Sequence, residues 1–127
     1  MPTQRSCTRW LCVAVILPFA GCVNFDVIEP EEWQEYEGQA GQTILVSFRV
    51  NVHNNTSSST LVNFSLDGED YWDNVIYQEE VPPGVHLVET VHPVEVKNPP
   101  ETHWFAVFRA DGPGLDQVPF RVVPPSQ

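Results

Sequence analysis

Thr43-Ile44-Leu45-Val46-Ser47-Phe48-Arg49-Val50-Asn51-Val52-His53 is the stretch on which the fold turns. Ile44, Val46, Phe48, Val50 and Val52 share one parity; Leu45, Ser47, Arg49, Asn51 and His53 share the other. In an extended chain successive side chains point to opposite faces. The period of two therefore describes a strand with one buried and one wet side.

Downstream the same grammar repeats. Asn54 to Thr60 has no apolar residue and reads as a loop. Val62, Phe64 and Leu66 resume the alternation up to Asp67-Gly68, a tight-turn signal. Val75 to Gln78 is a weaker strand, ended by Pro82-Pro83-Gly84. Val85 to Val91 and Val94 to Val96 follow as two pieces divided by Pro93, which lacks a ladder N–H and marks an edge or bulge. Trp104, Ala106 and Phe108 alternate with Phe105 and Val107, which suggests burial on both sides. Asp111-Gly112-Pro113-Gly114 turns the chain into a last strand through Val118, Phe120 and Val122.

Short β-branched runs punctuated by turns, without a helix-length segment to cross between parallel strands, predict an antiparallel sandwich of about seven strands. Its core is expected to hold Val46, Phe48, Val50, Phe64, Leu66, Trp104 and Phe108. Upstream, Asn24 to Ile28 has the pattern of a short first strand. Residues 30–38 read either as a two-turn helix, with proline early, acids in the first turn and glycine after the stop, or as an acidic tether. The domain division is then 1–21, 22–41 as an acidic leader or tether, and 42–127 as the sandwich.

Residues 41–55 (Gly-Gln-Thr-Ile-Leu-Val-Ser-Phe-Arg-Val-Asn-Val-His-Asn-Asn), then a polar loop, then Leu61-Val62-Asn63-Phe64-Ser65-Leu66-Asp67-Gly68 resemble the bacterial cell-adhesion-related Ig-like modules. The likeness covers roughly residues 24–97. It implies an Ig-like fold and a non-enzymatic contact role, and it transfers no site residue.

The N-terminus speaks about location. Arg5 and Arg9 precede an uncharged apolar run, Trp10 to Ala20, closed by Phe19-Ala20-Gly21-Cys22. A basic start, a short apolar centre and small residues before a cut describe a secretory signal peptide. The apolar run is shorter than the roughly 20 residues a spanning helix needs. Ala20-Gly21-Cys22 further resembles the lipobox of bacterial lipoproteins, although Phe19 stands where that family usually has Leu. The resemblance implies cleavage before Cys22, acylation of its thiol by lipid such as palmitate, and anchoring to a membrane of the cell envelope. Val23, a non-acidic residue after the cysteine, is compatible with the outer membrane in a Gram-negative host. The competing expectation is an ordinary signal peptide with a cysteine near the cut.

Removing residues 1–21 leaves 106 residues, one small domain. Cys7 and Cys12 leave with the signal, so the processed domain has no cysteine pair to staple it. Four basic residues then stand against seventeen acids, a formal charge of −13. That balance disfavours nucleic acid and anionic headgroups, which require basic patches.

Catalytic residues are not expected: no nucleophile frame, phosphate loop or patterned metal set is present, and no cofactor is implied. The four histidines read as solvent-facing strand residues without zinc spacing. Asp67, Asp70 and Asp73 lie in the densest acidic loop and are the residues closest to a calcium pattern, although the EF-hand spacing is not met. Tyr71 and Trp72 beside that loop are candidates for contact with another envelope protein or a glycan, or else end plugs of the core. Asn54, Asn55 and Asn63 each begin an Asn-x-Ser/Thr triplet. The expected function is a lipid-anchored, non-catalytic contact module, with a ligand- or calcium-binding module built on loop 67–73 as the alternative.

Overall fold

The alternation of residues 43–53 becomes a twelve-residue strand whose Val46, Phe48, Val50 and Val52 are fully buried. The computed structural model describes residues 21–68 and 71–125, and of Tyr71 only the backbone. The predicted signal lies outside the described residues except for Gly21. Eight strands follow in order: β1 Val23–Glu29, β2 Gln34–Glu37, β3 Thr43–Asn54, β4 Thr60–Leu66, β5 Val75–Val81, β6 Gly84–Glu95, β7 Thr102–Arg109 and β8 Leu115–Val123. A 3-10 turn, Tyr71–Asn74, precedes β5.

The strands form two sheets, β1-β3-β6 and β2-β8-β7-β4-β5. The fold is an all-β, Ig-like sandwich, antiparallel throughout except where β2 lies parallel to β8. The core between the sheets is aromatic at its centre. Phe48 of β3 stacks on Phe105 of β7 at 4.7 Å and meets Phe120 of β8 edge-on at 5.7 Å; Phe64 of β4 closes on Phe105 at 5.0 Å.

The expected first strand at Asn24 to Ile28 forms as β1, whereas residues 30–38 are neither helix nor tether. β1 adds to β3 in one sheet; the chain then crosses at 30–33, and β2 joins β8 in the other. The leading strand is split between sheets, which is why eight strands stand where about seven were expected. Tyr36 explains β2: in an extended Gln34-Glu35-Tyr36-Glu37 its ring turns inward onto Phe120 at 5.9 Å while Glu35 and Glu37 stay exposed.

Two further expectations change. The predicted break at Pro93 does not occur; β6 runs through it, paired with β3 from Gly84 to Glu95. It has no second ladder partner, and an edge strand tolerates proline. In β7 the two parities are as expected, but the core takes Phe105 and Val107, not Trp104 and Phe108. Phe108 is buried on the outer face under Trp72, at 5.0 Å, and Trp104 is 44% exposed.

Candidate functional site

The sandwich has two unlike ends. At one end Cys22 leads into β1, its carbonyl accepting from the Asn55 N–H at 2.9 Å. Asn54 organises the loop beside it. Its buried amide donates to the Ser58 and Val81 carbonyls, and its Oδ1 accepts from the N–H and hydroxyl of Thr56. β4 starts at Thr60 at this end and finishes at Leu66 at the other. The loop 55–59 and the Asp67 turn therefore sit at opposite ends. Asn54 and Asn63 are buried, so of the three Asn-x-Ser/Thr triplets only Asn55 is exposed.

At the distal end Asp67 ties β4 to β7. It adopts a left-handed backbone, φ 59°, a conformation that Asp tolerates better than most residues. Its N–H donates to the Trp104 carbonyl at 2.9 Å, and its Oδ1 accepts from the Trp104 N–H at 2.7 Å. Its Oδ2 meets His103 Nδ1 at 2.5 Å. His103 is not the solvent-facing residue its strand position suggested. It turns inward, nearly buried, and stacks on Phe120 at 5.3 Å, closing the core.

The outer face of the five-stranded sheet carries a groove of about 610 Å³. Ser65, Ala106 and Gln117 lie abreast across β4, β7 and β8 and form its floor. Two of these are small, so the sheet is depressed there. Trp104 rises beside them on the next row, opposite Pro119, and Asp67, Glu101 and Thr102 complete the distal wall. Glu101 pairs with Lys97 at 3.4 Å. Above Pro119 stands Trp33, whose N–H donates to the Pro119 carbonyl at 2.8 Å and whose ring meets Trp104 edge-to-face at 6.4 Å.

Of the residues singled out from sequence, Asp67 and His103 come together, and Asp67 lines the groove. Trp72 is 51% exposed and covers Phe108 from outside, so it does not plug the core. The Tyr71 side chain and Asp70 lie outside the described residues. Both Asp67 oxygens face protein donors, and among the described residues no group of three or more His, Cys, Asp or Glu side chains is placed to hold a metal ion. Cys22 is disulfide-bonded; Cys7 and Cys12, the other two cysteines, lie outside the described residues. Trp33 and Trp104 were not anticipated as site residues. Trp104 shares its parity with Ala106 and Phe108, and in a strand apolar on both faces parity does not say which face is inside. Trp33 carried no periodic signal.

No protein-family model matches the chain, and no curated protein matches it.

Proposed function

We propose that the protein is a small envelope lipoprotein, anchored by lipid on Cys22, whose Ig-like sandwich is a non-catalytic contact module. The observation that carries this reading is the polarity of the fold. Cys22 sits at one end, while the Asp67 turn and its groove with Trp104 sit at the other. A lipid at Cys22 would thus hold the domain on the membrane with its aromatic groove turned away from the bilayer. The cut before Cys22 removes Cys7 and Cys12, the other two cysteines, so the disulfide belongs to the uncut chain.

Absence of catalysis is supported by side-chain direction. Ser65 and Thr102 share the outward parity of the five-stranded sheet, whereas His103 points inward onto Phe120. A base within hydrogen-bond reach of a nucleophile needs both on one side. The Asp67–His103 pair instead closes the end of the core. The reading is tested by fractionating cells that express the chain. The protein should sediment with membranes, and Cys22→Ser should move it to the soluble fraction; equal behaviour of the two would refute the anchor.

A further inference from the structure

The groove on the outer face of the five-stranded sheet has the chemistry of a carbohydrate site. Trp33 adopts φ 63°. For a bulky residue that conformation is a genuine outlier, of the kind that persists only where the surroundings over-determine it. Core burial does not offset the strain, because the side chain is 56% exposed. What the conformation achieves is placement: an exposed indole edge-to-face with Trp104, itself 44% exposed, at the rim of the groove. The two half-exposed indoles, inclined at 68° to each other, form an apolar corner in which a ligand can lie on one ring face against the other ring.

The groove beside them is polar. Ser65, Thr102 and Gln117 offer hydroxyl and amide groups, and Asp67 and Glu101 bring carboxylates. No Lys or Arg lines it; its charged side chains are the Asp67 and Glu101 carboxylates, with the edge of His103 held by Asp67, so an anionic ligand would face two carboxylates. A purely apolar ligand would desolvate these polar groups without pairing them, at a cost. A neutral sugar fits both halves: its C–H face lies on an indole while its hydroxyls bond the floor and wall. The volume falls within the range of small-molecule sites. We propose that this groove binds a neutral oligosaccharide, with Trp104 and Trp33 as the stacking platform. The inference deepens the contact-module reading and rests on it by naming what that module touches.

The test is titration of the protein recovered from expressing cells, followed by tryptophan fluorescence. The probes are neutral oligomers of glucose, galactose, mannose and N-acetylglucosamine, with glucose 6-phosphate and oligolysine for comparison. At least one neutral oligomer should bind saturably, and Trp104→Ala should weaken it about tenfold, the loss expected for a desolvated aromatic anchor. Trp33→Gly is the companion variant. It relieves the backbone strain, so it should unfold no more easily than the parent while still losing affinity. Trp72→Ala, which removes an exposed indole outside the groove, should bind as the parent does. Failure of every neutral oligomer to saturate at millimolar concentration would overturn the proposal, as would undiminished binding by both Trp104→Ala and Trp33→Gly. Preferential binding of oligolysine would overturn the sugar assignment but leave a contact module standing. Loss of the membrane anchor in the Cys22→Ser experiment is read separately and does not bear on sugar binding.

Discussion

Phe48 and Tyr36 show how far single residues can be read. The Phe48 ring lies wholly inside, between Phe105 and Phe120, and its parity within residues 43–53 was enough to place it there. Phe48→Ala should lower unfolding stability by roughly 3–5 kcal/mol in denaturant titration; a negligible loss would mean that the β3 register is wrong. Tyr36 could not be placed from sequence, since its neighbours are acids that suit a solvated leader. Its hydroxyl is buried without a hydrogen-bond partner. Burial first, and then the negative charges of Glu29 and Glu31, push its pKa well above the usual tyrosine range. The folded state therefore favours the neutral phenol. Above a pH of about 10 the unfolded chain ionises first, and stability falls as pH rises further. Tyr36→Phe should be neutral or stabilising by roughly 1 kcal/mol at neutral pH, because it deletes an unpaired buried hydroxyl. It should also reduce the alkaline loss, which thermal unfolding at pH 7 and pH 11 would register.

At the scale of elements, strands with one wet face were legible and those buried on both faces were not. β3 declared its faces because Ser47, Arg49 and Asn51 cannot share a core with Phe48. β7 did not, because Trp104, Phe105, Ala106, Val107 and Phe108 are apolar on both parities, and only packing against Phe48 decides for Phe105. β2 was missed because four residues make too short a pattern and its partner, β8, lies almost ninety residues away. The Asp67-Gly68 turn signal was correct, but the reach of the Asp67 side chain to β7 spans 36 residues and leaves no local trace. That tie is testable. Asp67→Ala loses both carboxylate contacts and puts a Cβ-bearing residue with no side-chain acceptor into a left-handed conformation; it should cost about 2 kcal/mol. Asp67→Asn keeps an acceptor and tolerates the backbone, so it should cost clearly less. Equal losses in urea titration would show that the side-chain bonds to His103 and Trp104 do not hold the β4 end.

The whole molecule is a strongly acidic sandwich with its cysteine at one end and its exposed indoles toward the other. The fold class was legible because strand periodicity and turn residues agree along the chain. The candidate groove was not, because its floor is assembled from β4, β7 and β8 and its wall from Asp67 and residues 101–104, with Trp33 of the crossing set beside Trp104. On the proposed processing the remaining charge of −13 would oppose self-association and binding to acidic surfaces, and attachment to a membrane would fall to the proposed lipid on Cys22. The most direct measurement is the intact mass of the protein extracted from the membranes of expressing bacteria. The account predicts a chain beginning at Cys22, lacking residues 1–21 and carrying added acyl mass. A membrane-extracted chain that retains residues 1–21, with Cys22 unacylated and still in its disulfide, would contradict it.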